Sequence, residues 1–150
     1  MISQTAEYAL RAVVALTRSS GSPISGGVLS KQARIPADYL PRIMQQLSEV
    51  GIVRSKRGPG GGYSLAGSGN ELTVLDVVNA IDPVRRIEHC PLKIPNHEAL
   101  CPLHAKLDEA YAELQRVLAS TRIVDLLPEN FPTLQCQFPS GINEYDSNTP

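Results

Sequence analysis

The chain has 150 residues, 42% hydrophobic and 19% charged, enough for one small domain with a core, and its longest apolar run, Ala12 to Leu16, falls far short of the roughly 20 residues that cross a bilayer. With no Trp, two Phe and five Tyr the core must come from Leu, Val, Ile and Ala, which favours packed helices over an all-β sandwich, and no basic stretch leads into an apolar signal region, so a cytoplasmic protein is expected. The net charge of −1 hides a division: residues 1–67 carry eight Lys/Arg against three Asp/Glu, a net of +5, and the rest six against twelve, a net of −6, so one half is attractive to phosphate.

The apolar positions Ala6, Ala9, Leu10, Val13 and Leu16 recur at three and four, predicting a helix over 5–18 that Gly21-Ser22-Pro23 ends. A second short helix follows, with Ser25 as N-cap, Val28, Leu29, Gln32 and Ala33 in its body, and a break at Arg34-Ile35-Pro36. Leu40, Ile43, Met44 and Leu47 then mark a third, closed by Gly51 at a C-cap position. Pro41 is tolerable there if Asp38 is the N-cap and Pro41 stands at the third helical position, where its missing N–H has no partner to lose. Two short helices and a turn after a supporting helix form a helix-turn-helix.

After Gly51 the period changes to two, with Ile52 to Ser55 read as a strand and Tyr63 to Leu65 as its partner. The seven residues between hold four Gly and one Pro, a composition that serves close approach of backbone to another body rather than packing. With Lys56 and Arg57 at its root, that body reads as a sugar-phosphate backbone or a minor groove. Thr73 with Asp76 makes a capping box for a helix through Val74, Val77, Val78 and Ile81, stopped by Asp82-Pro83. Residues 88–102 hold no period but gather His89, Cys90, His97 and Cys101. From Leu103 to Leu118 the series Leu107, Tyr111, Leu114, Leu118 is the narrow seam of a helix that packs against another, read as a homodimer interface. Beyond Leu127 the Pro-, Asn- and Ser-rich chain reads as a disordered tail in which Cys136 is incidental.

Tyr8-Ala9-Leu10-Arg11-Ala12, the helix-turn-helix, Arg57-Gly58-Pro59-Gly60-Gly61-Gly62-Tyr63 with Leu65, and Leu75-Asp76-Val77-Val78-Asn79-Ala80-Ile81 together resemble the IscR/NsrR-type winged-helix transcriptional regulators of bacteria, an Rrf-type family that senses through iron–sulfur clusters. The resemblance runs to about residue 127 and implies a mainly α fold with a small β-wing and a long C-terminal dimerisation helix. Residues 1–67 would be the DNA-binding region and 68–127 the sensor loop and dimerisation helices of the same compact unit. It also implies a homodimeric repressor on a pseudo-palindromic double-stranded operator, with the third helix in a major groove and the wing tip in the adjacent minor groove. The residues agree with that docking: Arg42, Gln45 and Gln46 carry donors suited to base edges, and Lys31, Arg34, Tyr39 and Lys56 are placed to meet phosphate. Asp38 at the helix start and the tip residues Arg57, Gly58, Pro59, Gly60 and Gly61 complete the expected interface.

Cluster-binding relatives resemble one another in three Cys spaced by about five residues and a His three positions after the last. Cys90, Cys101 and His104 match that pattern, the middle Cys is absent, and Asn96 or His97 stands near its place. Some relatives add an acid before the Tyr-Ala-Leu-Arg segment, where this chain has Glu7, supplied to the partner subunit's loop. Cys90, Cys101, His104 and Glu7 would make four ligands for a two-iron two-sulfur cluster with mixed coordination. Two Cys and a His also suit zinc, and an unmetallated, thiol-reactive loop is the third reading. Two kinds of regulator follow, one switched by a cluster that senses redox state, iron or nitric oxide, the other by a partner protein, a small ligand or thiol oxidation. No acid–base constellation accompanies the thiols, so an enzyme is not expected.

Overall fold

The computed structural model describes residues 2–92 and 99–127. Asn96, His97, Cys136 and the expected tail lie outside them. Helices α1 (Gln4–Arg18), α2 (Gly26–Ala33) and α3 (Leu40–Glu49) precede a two-stranded antiparallel sheet of β1 (Val53–Lys56) and β2 (Gly62–Leu65). Then come α4 (Val74–Ile81), α5 (Pro102–Ser120) and a short 3-10 turn at Ile123–Leu126. This is a winged helix-turn-helix with a long helix appended, as expected.

Helix α1 is the central support. Ser3 caps it by accepting the Ala6 N–H, and its buried positions are mostly small: Ala6, Ala9, Ala12 and Ala15 beside Val13, Val14 and Leu16. Small side chains let α4 pack close, with Val74, Val77 and Val78 buried in the same core. The capping box of α4 forms as predicted, with Asp76 N–H donating to Thr73 Oγ1 at 3.2 Å and Thr73 N–H to Asp76 Oδ2 at 2.9 Å. Leu29, Ile43, Met44 and Leu47 from α2 and α3 complete the core, with Ile123 after α5.

Two expectations need correction. Asp38 does not cap α3: Tyr39 is the cap residue, already in helical conformation, and no side chain caps it. The chain enters α3 through a turn in which Pro36 O accepts from the N–H groups of both Tyr39 and Leu40, so the first donors are satisfied without an Asp. Pro41 accordingly sits at the second helical position rather than the third. The second correction is to the strand bounds, since Ile52 lies outside β1. β1 and β2 pair Val53 with Leu65, Arg54 with Ser64, Ser55 with Tyr63 and Lys56 with Gly62, so each strand reaches one residue further toward the tip than the periodicity indicates.

Two isolated bridges tie this frame together. Ile24, ahead of α2, exchanges 2.8 Å backbone hydrogen bonds with Tyr63 of β2, which fastens the wing to the helix-turn-helix. Thr73 pairs with Arg122, flanked by Val74 N–H to Thr121 O and Ile123 N–H to Leu72 O, which returns the end of α5 to the start of α4.

None of the residues of α5 is buried. Leu103, Leu107 and Val117 are 64%, 44% and 44% exposed, and Tyr111 is exposed beside them. Of the expected seam, Leu118 instead packs partly against the chain's own core, because the Thr73–Arg122 bridge holds that end of α5 down.

Candidate functional site

The predicted interface residues are exposed, apart from half-buried Gln46 and Gly61. On α3 the buried Leu40, Ile43, Met44 and Leu47 alternate with exposed Arg42 and Gln45 and half-buried Gln46, an amphipathic helix whose outer face carries the polar donors. Gln45 is engaged locally, donating to Glu49 Oε1 at 3.0 Å. Lys31, Asp38, Tyr39, Lys56 and Arg57 are exposed.

Arg34 is exposed and closes α2 in the left-handed conformation, φ 50° and ψ 51°. A residue with a Cβ pays of order 1–3 kcal/mol there, and a helix end of this kind ordinarily carries Gly. Arg11 Nη1 donates to its carbonyl at 3.4 Å.

Salt bridges divide the cations sharply. Among the described residues of the second half, Arg86, Lys106, Arg116 and Arg122 are each paired with a carboxylate, and Arg85 is not. Of the eight in the first half only Arg11 is, through Glu7. Arg18, Lys31, Arg34, Arg42, Arg54, Lys56 and Arg57 carry positive charge that no acid of the described residues neutralises by contact. That is the electrostatic footprint of a surface that meets polyanion.

The wing tip corrects the reading of its glycines. A Cβ on Gly61 would lie 2.3 Å from Lys56 O, and one on Gly62 would lie 2.2 Å from Ile24 O, so both are required by the hairpin and its bridge to Ile24. Gly58 and Gly60, at φ +89° and +68°, have open space around them. The internal turn therefore accounts for the glycine content, and the exposed Arg57-Gly58-Pro59-Gly60 edge is what a partner would meet.

A ring cluster joins α1 to α3. Tyr8 and Tyr39 meet edge to face, and the Arg11 guanidinium lies 5.5 Å from the Tyr8 ring centre while pairing with Glu7. Local spacing does not disclose this cluster, because Tyr8 and Tyr39 are 31 residues apart and only the fold brings them together.

The second site stands at the start of α5. Cys101 is the residue before the helix, and its 3-residue spacing to His104 is one helical turn, so the helix itself brings them together with Cys101 Sγ 3.1 Å from His104 Nδ1. Cys90, on the preceding segment, places Sγ 3.6 Å from the same nitrogen. The three donor atoms lie within 4.8 Å of one another and all three residues are half-buried. The backbone N–H of Cys101, then that of Leu92, holds the Cys90 thiol below its ordinary pKa against the opposing effect of burial. Two soft sulfurs and an imidazole suit zinc or part of an iron–sulfur cluster, and three donors leave either short of four. Glu7 is not in this group: it occupies the first turn of α1, paired with Arg11.

Comparison with known proteins gives a consistent result. Residues 2–129 match the profile of Rrf2, described as an iron-dependent transcriptional regulator. A helix-turn-helix-type transcriptional regulator of Aquifex aeolicus is 30% identical over 132 residues, 85% of this chain and 91% of that one. Among solved structures, T. potens IscR superposes with a TM-score of 0.71 at 20% identity, covering 94% of this chain and 93% of that one. CymR (YrzC), titled the global cysteine regulator of B. subtilis, superposes with 0.68 at 25% identity, covering 86% and 97%.

Proposed function

The chain belongs to the Rrf2 family of transcriptional regulators, and from that premise we propose that it is a cytoplasmic homodimeric repressor whose operator affinity is set by an iron–sulfur cluster. DNA binding comes with the family and fold. In our reading α3 enters the major groove with Arg42, Gln45 and Gln46 toward base edges, and Lys31, Arg34, Tyr39 and Lys56 contact phosphate. Asp38 borders that surface, and Arg57 with Gly58, Pro59, Gly60 and Gly61 lies along the minor groove. The exposed Leu103, Leu107 and Val117 of α5 support pairing with a second copy.

The observation that carries the sensing half is the convergence of Cys90, Cys101 and His104 within 4.8 Å. Glu7 of the partner subunit would supply the fourth ligand, making a two-iron two-sulfur site. When bound, such a cluster supplies a one-electron couple and a reactive target for oxidants or nitric oxide. This chain's part is to hold two thiols and an imidazole together, with one thiol biased toward its ligating form by backbone N–H groups. Purification under anaerobic conditions tests the proposal: visible absorption with iron and sulfide that disappears in Cys90→Ala and Cys101→Ala, but not Cys136→Ala, together with different operator affinities for loaded and stripped protein, is the expected result. A colourless protein with one zinc per chain overturns the cluster.

The missing middle cysteine favours a second reading, a metal-free or zinc-bound regulator switched by a partner protein, a small ligand or oxidation of the two neighbouring thiols. Colour and metal content separate the two.

A further inference from the structure

Cys101 and His104 belong to α5 and are set relative to each other by one turn of helix. Cys90 does not share that frame. It ends a segment after α4 that has neither helix nor strand from Pro83 to Cys90, so no ladder of backbone hydrogen bonds fixes its path and side-chain contacts do.

Asn79 of α4 accepts the Val84 N–H at 3.1 Å, and helix α5 supplies the side chains beyond it. Gln115 Nε2 donates to Val84 O at 2.6 Å. Asp108 Oδ1 accepts from Arg86 Nε at 2.6 Å and from the Ile87 N–H at 2.8 Å, while Oδ2 takes the Nη2 of Arg86. His104 then meets Cys90. His104, Asp108 and Gln115 are four and seven residues apart, a spacing that keeps them on one face of the helix. Because residues 84, 86–87 and 90 meet residues 115, 108 and 104 in reverse order, the segment is a strap laid antiparallel along α5. Its strongest fastening is the two-pronged Arg86–Asp108 pair, whose carboxylate side chain is only 15% exposed and whose Arg86 lies four residues before Cys90.

We infer that Asp108, acting through Arg86 and the Ile87 N–H, is the positioning residue that holds Cys90 within ligating distance of Cys101 and His104. The three-donor group is thereby assembled before any metal arrives. The inference rests on reading these side chains as a ligand set, yet the juxtaposition of the thiols is measurable without a metal. Outer residues that orient ligands typically change metal affinity by about 10–100-fold when removed, and a carboxylate that fixes the approach of a ligand-bearing strap is such a residue.

The full-length reduced protein is titrated with Co²⁺ alone, read by thiolate-to-cobalt absorption, and in parallel with phenylarsine oxide, which is captured by two neighbouring thiols together. Asp108→Ala is expected to weaken cobalt binding by about 10–100-fold and to slow arsenical capture, with helix content unchanged and melting lowered only by the loss of the Arg86 pair. Asp108→Asn, which keeps an acceptor for Ile87 but loses the paired charge, is expected to fall between. Arg86→Ala should reproduce the defect from the exposed side, and decides the matter if Asp108→Ala does not fold. Wild-type cobalt affinity and arsenical capture in these variants overturn the inference. Arsenical capture that depends on Asp108 in a protein that takes up neither cobalt nor iron supports the positioning role while refuting the metal reading.

Discussion

Tyr39, the residue that opens the outer helix α3, meets Tyr8 of the central helix α1 edge to face, with ring centroids 6.2 Å apart and planes at 74°. No side chain caps α3, and this contact anchors its cap residue to α1. The pair should be worth about 0.5–1.5 kcal/mol beyond its area. A double-mutant cycle with Tyr8→Leu and Tyr39→Leu in urea should return a coupling of that size. Strict additivity would make the two rings independent.

Arg34→Gly should separate stability from binding. It relieves the left-handed strain at the end of α2, so the urea midpoint should rise by the equivalent of about 1 kcal/mol with an unchanged slope. Operator affinity should fall in the same variant. A lower midpoint would mean that the Arg11 contact to the Arg34 carbonyl depends on the side chain it would lose.

The seven cations of the first half that pair with no acid among the described residues predict steep salt dependence. Each phosphate contact contributes about −0.9 to the slope of log K against log salt. Lys31→Ala and Lys56→Ala should each flatten the slope by about that amount on any sequence. Arg57→Ala should instead lose most on operators with A·T-rich flanks, whose narrow groove concentrates negative potential. An equal loss on all flanks reduces Arg57 to a phosphate contact.

Leu107→Lys should weaken self-association by at least tenfold, read by sedimentation, while leaving the monomer's melting little changed, because Leu107 is exposed in the single chain. Leu114→Ala, at a half-buried position, should cost both association and up to about 2 kcal/mol of stability. Unchanged association in both variants would move the interface off α5.

The Arg86 guanidinium, and after it the Ile87 N–H, holds the Asp108 carboxyl below its ordinary value. A depressed carboxylate contributes its full stabilisation above the unfolded pKa and loses it as pH falls through the folded one. The strap should therefore stay fastened at neutral pH and loosen only in acid, below the usual carboxylate range. A carboxyl-carbon NMR titration of Asp108 checks the direction, and Arg86→Ala should return the midpoint toward ordinary values.

What the sequence disclosed was local. The Thr73–Asp76 box and the Cys101–His104 turn involve groups three residues apart, where spacing alone determines contact. The start of α3 misled because Asp38 is a preferred capping type, whereas the Pro36 carbonyl had already taken the first donors. Nothing in residue preference places an Arg in left-handed conformation at 34. The Asp108–Arg86 pair joins residues 22 apart across a segment without periodicity, and only the fold brings them together.

The exchange of hydrogen bonds between Ile24 and Tyr63 makes the wing and the helix-turn-helix one rigid caliper. The bridge sets the gap between the outer face of α3 and the Gly58–Gly60 tip, and it holds only with Gly at 62, where a Cβ would lie 2.2 Å from Ile24 O. A duplex gripped by both jaws has to match that opening. Any mismatch in groove spacing would have to be absorbed by bending or unwinding the DNA. Discrimination among operators would then extend to base pairs that no side chain touches, selected by how readily they deform.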